Sequence, residues 1–255
     1  MKTTLYTLIY ILLFLSISKN GGSQVNVTDS SINMPLFKIG YSANFAGEDF
    51  KERFGYTSFV NFDISYKFKS QWGFGMKYDY LFGNIVNDTS MLEDLKVTTG
   101  EIIGNSGDFG IYESLSRGHQ LSVYVNRLFP VLSPNPNSGI MLNMGIGILI
   151  HKVSFNNIAG DITQLNGEYL KGYDRYTSGL SLHQFIGYRY MSNNRLLNFY
   201  GGVEFTQGFT KIRRDYQVDY SVGDIRYGNR KDYLYSFKVG WILPLHKRQP
   251  KEYYY

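Results

Sequence analysis

The sequence predicts an all-β chain: an eight-stranded antiparallel up-and-down transmembrane β-barrel with short periplasmic turns and long extracellular loops. Three observations carry this expectation. Apolar and polar residues alternate through eight successive segments, as in strands with two unlike faces. The connections between segments alternate in length, short then long. Aromatic residues, 23 Tyr and 18 Phe, crowd the segment ends, where an apolar ring with a polar tip suits a membrane–water interface.

The first element is a leader. Lys2 precedes a run from Leu5 to Ser18 that is apolar but for Thr7 and hydroxyl residues near its end. A spanning helix needs roughly 20 residues, and this run has about 14. Small residues, Gly21-Gly22-Ser23, follow it, which is the layout of a secretory signal peptide cleaved between Ser23 and Gln24. The expected organisation is a signal peptide over residues 1–23, a periplasmic N-terminal segment over 24–35, a barrel over 36–245 and a periplasmic tail over 246–255. Cysteine is absent, which excludes disulfides, thiolate metal sites and a lipidated N-terminal Cys. The formal net charge is +5, and removal of Lys2 and Lys19 with the leader leaves about +3. That balance, with both signs interspersed, does not point to nucleic acid.

The eight segments follow in order. Phe37, Ile39, Tyr41, Ala43 and Phe45 oppose Lys38, Gly40, Ser42 and Asn44. Tyr56 through Phe68 is the clearest: Val60, Phe62, Ile64 and Tyr66 fall on one face, and Phe59, Asn61, Asp63, Ser65 and Lys67 on the other. Phe74, Met76, Tyr78 and Tyr80 oppose Gly75, Lys77 and Asp79. Leu121, Val123 and Val125 oppose Ser122, Tyr124 and Asn126. Leu142, Met144, Ile146 and Ile148 oppose Asn143, Gly145, Gly147 and His151. Leu182, Ile186 and Tyr188 oppose His183, Gly187 and Arg189, with Gln184 on the wrong face. Phe199, Val203, Phe205 and Phe209 oppose Tyr200, Gly202, Glu204 and Thr206. Finally Tyr235, Phe237, Val239 and Trp241 oppose Ser236, Lys238 and Gly240. Most runs reach the roughly 9–11 residues that a tilted strand needs to cross a bilayer. Connections at residues 70–72, 130–138 and 192–197 are short; those after the third, fifth and seventh segments run to about 20–30 residues, longer than compact soluble domains use.

Alternation alone does not say which face looks outward, since a lipocalin-like soluble barrel has the opposite sense. Export, loop asymmetry and the aromatic strand ends (Tyr66, Phe68, Tyr188, Tyr190 and Trp241) favour apolar-out. The lumen then holds Lys38, Asp63, Lys67, Lys77, Asp79, Arg189, Glu204 and Lys238. An eight-stranded barrel is just wide enough for side chains to fill. Buried charges must be paired, so these eight are expected to form a salt-bridged plug.

The last segment, Lys238-Val-Gly240-Trp-Ile-Leu243-Pro-Leu245, resembles the C-terminal β-signal of outer-membrane proteins, with leucines where aromatics are usual and ten further residues behind it. Strand count and layout resemble the small-barrel superfamily of OmpA and OmpX, and its PorT-type members, across nearly the whole mature chain. The resemblance implies a bacterial outer-membrane location and implies no activity.

Function is expected on the loops, where unconstrained sequence presents binding groups. Residues 87–118 form the longest loop, and Glu101-Ile-Ile103 beside Gly104-Asn-Ser-Gly107 suggests an added hairpin. In residues 211–231, Arg213, Arg214, Arg226 and Arg230 are candidate contacts for anionic lipopolysaccharide or a protein partner. The leading expectation is a structural or binding barrel, with an accessory subunit of a secretion or assembly machine as a specific version. The alternatives are a lipid A-modifying enzyme, for which His151 with Ser154 is the candidate pair, and a narrow channel. Gly73-Phe-Gly75 and Gly145-Ile-Gly147 precede no helix and are not nucleotide loops. No metal-ligand spacing occurs, and no cofactor is expected.

Overall fold

The structure is a computed structural model that describes residues 30–192, 197–218 and 228–245. The expected leader and C-terminal tail lie outside the described residues, as do residues 24–29 of the N-terminal segment. Strands β1 (Met34–Gly47), β2 (Thr57–Lys67) and β3 (Trp72–Gly83) form a meander. A two-residue β4 (Ile102–Ile103) precedes β5 (Phe109–Phe129), β6 (Gly139–Ala159), β7 (Thr177–Tyr190), β8 (Phe199–Ile212) and β9 (Asn229–Pro244). Every neighbouring pair is antiparallel, and β1 pairs with β9 while β3 pairs with β5, so eight strands close on themselves. Closure leaves no sheet edge within the ring and satisfies its backbone groups internally, which hydrocarbon requires.

The wall has the predicted polarity. Ile64, Phe74, Met76, Leu121, Val123, Val125, Met144, Ile148, Ile186, Phe237 and Val239 are exposed on the outside. Between them, Lys38, Asn61, Asp63, Lys77, Asp79, Ser122, Ser181 and Glu204 are buried inside. Trp72, Phe129, Tyr190 and Phe199 ring the short-turn end, and Arg127 lays its guanidinium 4.9 Å from the Trp72 ring centre. Gln184, out of phase in the sequence, does face outward, and the Gln207 amide on the next strand donates to it at 3.4 Å. The two polar side chains thereby satisfy each other on an apolar surface.

Inward glycines make room for luminal rings. A Cβ on Gly75 would sit 2.6 Å from the Tyr124 hydroxyl, and one on Gly145 would sit 2.3 Å from His183. Both positions therefore require glycine for close approach, not for a turn.

Two expectations need correction. The barrel begins at Met34, two residues before the expected boundary. The loop assigned to residues 87–118 is much shorter, because β5 starts at Phe109 and pairs with β6 as far as Ala159. Beyond the barrel these two strands continue as a ribbon, and β4 joins it through Ile102 opposite Gly110 and Ile103 opposite Phe109. The lipid-type alternation lapses there, which is why the sequence pattern hid the strands. The polar filling of the lumen gives way to apolar side chains at its loop end. At the loop end Phe59, Leu81, Val153 and Leu234 point inward and meet Phe50 and Phe54 from helix α1 (Glu48–Arg53) and its C-terminal flank. Met91, Leu92, Ile162 and Leu165 from the loops complete this apolar layer.

Candidate functional site

From the short-turn end upward, the lumen is filled in tiers. Lys67 and Arg189 lie lowest. The Lys67 ammonium donates to the Ser31 hydroxyl at 3.0 Å and the Ile32 carbonyl at 3.3 Å, and Arg189 donates to the Asn137 carbonyl at 3.2 Å. Among the described residues, neither has a carboxylate partner. These two therefore stand apart from the expected salt-bridged plug; backbone carbonyls and a hydroxyl solvate them, because the nearest carboxylates belong to the tier above.

The middle tier is ionic. Lys38 pairs with Asp63 at 3.2 Å, and the Tyr124 hydroxyl accepts from Lys38 at 2.8 Å while donating to Asp63 at 2.6 Å. Next to this, Glu204 accepts from Lys77 at 2.7 Å and from Lys238 at 3.1 Å, and Lys77 also reaches Asp79 at 3.2 Å. Asn61 donates to Asp79 at 2.6 Å and accepts from Ser42 at 2.8 Å. Six of the eight predicted luminal charges thus come together in two linked groups. Tyr124 falls on the polar face by its phase, but nothing in the sequence marks it as the bridge.

Above the ions sits a group that sequence reasoning missed. His151 Nε2 lies 2.8 Å from Asp232, which also accepts from Thr210, and the Phe50 and Phe54 rings meet the imidazole edge-on at 5.2 and 5.5 Å. All are buried under the apolar layer. This overturns the His151–Ser154 pairing: three residues apart on one strand, the two side chains point to opposite faces. His151 is held by a carboxylate beneath phenylalanines, and that pairing forms no nucleophile–base site. His151 and Asp232 share the inward phase of β6 and β9, but these strands are not neighbours in the sheet, so phase alone does not bring them together.

The loops are tied to one another. Buried Arg175, from the loop over 160–176, donates to Asp88 at 3.1 Å, Ser90 at 3.2 Å and Gln217 at 2.9 Å, linking three loops. Arg53 of α1 donates to the Arg175 carbonyl at 3.3 Å and thereby adds the first loop. Three of the four candidate loop arginines are described. Arg230 lies in β9, is buried, and bonds the Asp49 carbonyl, so it is not a free loop cation. Arg214 pairs with Asp174, whose hydrogen bond raises the guanidinium above its ordinary pKa. Arg213 is exposed and donates to Ser178 at 3.0 Å. Arg226 lies outside the described residues. Among the described residues, no group of three or more His, Cys, Asp or Glu side chains is arranged to hold a metal.

A closed wall that is apolar outside and ionic within inverts the polarity of a soluble barrel, and it defines a small eight-stranded β-barrel of the outer-membrane type. Neither a protein-family model nor a curated protein matches the sequence. Solved structures do resemble it. The attachment invasion locus protein Ail of Yersinia pestis, crystallised with the heparin analogue sucrose octasulfate, is 12% identical over 83% of this chain and 99% of its own, with a TM-score of 0.45. A major outer membrane protein from Thermus thermophilus is 10% identical over the same shares, with a TM-score of 0.48. The outer membrane protein OprG from Pseudomonas aeruginosa is 11% identical over 86% of this chain and 99% of its own, with a TM-score of 0.30.

Proposed function

We infer that this protein resides in a bacterial outer membrane after loss of residues 1–23, and that it acts as a binding barrel through its loops, not as a pore. The short-turn end faces the periplasm and the braced loops face outward. The observation that carries the reading is the pairing of a filled lumen with a rigid, partly apolar loop platform. On the outward face of β5, Phe109 and Ile111 are exposed beyond Glu113 and Arg117, and Ile158 is exposed on the facing strand of the ribbon. Polar residues separate these side chains from the apolar band, so lipid does not cover them. Contiguous exposed apolar residues on a tied-down scaffold mark a contact surface for a protein partner. A partner within the same membrane corresponds to the accessory-subunit version of this function.

Planar-bilayer recording of the purified full chain tests the sealed lumen. The expected result is no stable unitary conductance at neutral pH, because ion pairs and the apolar layer block the axis. Long-lived channels with a defined conductance contradict the proposal and favour a narrow pore.

A further inference from the structure

The outer wall changes character abruptly on half of its loop-end rim. The last apolar row across β5, β6, β7 and β8 is Leu121, Ile148, Leu180 and Phe209, partners in register and all exposed. Two positions further along each strand the row reads His119, Ile150, Ser178 and Lys211. In the next, Arg117 pairs with Lys152, and the Arg213 amide donates to the Tyr176 carbonyl at 2.9 Å. Two residues of a tilted strand rise about 5 Å along the membrane normal. The cations therefore lie within roughly 5–10 Å of the hydrocarbon edge, at headgroup depth.

We propose that this arc, Arg117, Lys152, Lys211 and Arg213, binds the phosphate of an anionic lipid in the leaflet bordering the loops. The proposal rests on the membrane-embedded reading above and names a ligand for it. Four features converge. The described residues provide no ion-pair partner for any of the four cations, whereas Arg175, Arg214 and Arg230 are all paired with carboxylates. Arg117 donates to the Gly83 and Ser116 carbonyls, and Arg213 to Ser178, which holds the guanidinium groups in place but leaves their charge uncompensated. A cavity of about 240 Å³ opens among Arg117, His119, Ile150, Lys152 and Tyr176, with apolar wall directly below for acyl chains. The only carboxylate on the outward face of β5, Glu113, lies four residues beyond Arg117 and away from the apolar band. Guanidinium and ammonium groups with fixed donors suit a phosphate ester, and anionic headgroups attract such clusters.

The test uses the full chain in a neutral maltoside detergent, with native mass spectrometry reading retained lipid. Dioleoyl phosphatidic acid is offered against dioleoyl phosphatidylcholine, with inorganic phosphate as a competitor. Wild type is expected to retain phosphatidic acid at least about tenfold over phosphatidylcholine, and the Lys152→Gln/Arg213→Gln variant to lose that preference. Inorganic phosphate at equal concentration is expected not to displace the lipid. Equal retention by wild type and variant, no headgroup preference, or displacement by inorganic phosphate overturns the proposal. Folding of both proteins into phosphatidylcholine vesicles, read as protease resistance, is scored separately. Failure of wild type there defeats the embedding itself, while success with unaltered lipid preference defeats only the site.

Discussion

Replacing Glu204 by alanine is expected to cost about 3–5 kcal/mol of stability, because it leaves Lys77 and Lys238 buried and short of counter-charge. The Glu204 carboxylate accepts from both ammonium groups, at 2.7 and 3.1 Å, in the middle of a lumen with no room for bulk water. The expected loss comes from leaving Lys238 without a direct carboxylate partner and Lys77 with Asp79 alone, not from the intrinsic worth of two salt bridges. A second variant separates these causes. Removing the four linked charges together, through Lys77→Met, Asp79→Asn, Glu204→Gln and Lys238→Met, is expected to cost much less than the single change, since no ion remains unpaired. Urea unfolding in detergent micelles, followed by the heat-dependent gel shift of folded barrels, reads both. A near-neutral Glu204→Ala contradicts the network as described.

Ile146→Arg is expected to cost about 2–4 kcal/mol in phospholipid vesicles, the range for a cation on the lipid face near the bilayer midplane. Ile146 is 46% exposed and lies opposite Val123 and Leu182, well within the apolar band. Ile158 provides the control. It is 59% exposed, on the same strand, but on the ribbon beyond the barrel. If the band faces lipid and the ribbon faces water, Ile158→Arg stays within about 0.5 kcal/mol. Equal effects at the two sites contradict the proposed boundary of the membrane. Val60→Arg, on the outward wall in register with Tyr41 and Tyr80, is likewise expected to cost about 2–4 kcal/mol.

The strands that cross the apolar band were legible because burial on one face and lipid on the other impose a strict period of two. Runs such as Phe62-Asp63-Ile64 and Met144-Gly145-Ile146 have no competing interpretation once the sense of the wall is chosen. The luminal charges were legible for the same reason: Asp63, Lys77, Glu204 and Lys238 share the inward phase. Their grouping was not, since which cation meets which carboxylate depends on the stagger between strands, and sequence alternation carries no information about stagger. Lys67 and Arg189 show the consequence, being in phase with the network and yet one tier removed from it. The loop end was least legible. Phe50, Met91, Leu92, Ile162 and Leu165 lie in connections without periodicity, and only the tertiary structure gathers them over the barrel mouth. Arg230 reads as one more loop cation until β9 is seen to start at Asn229, which turns the side chain inward.

The sense of the wall underlies every assignment above, and methyl-to-lipid NOE spectroscopy of the protein in phospholipid nanodiscs tests it without any substitution. Methyl groups of Leu121, Val123, Val125 and Ile148 are expected to show strong cross-peaks to acyl-chain protons, and those of Leu149, Val153 and Leu234, which are buried, to show none. Acyl contacts at Leu149 and Leu234 with silence at Val123 and Val125 would invert the barrel and contradict the assignment.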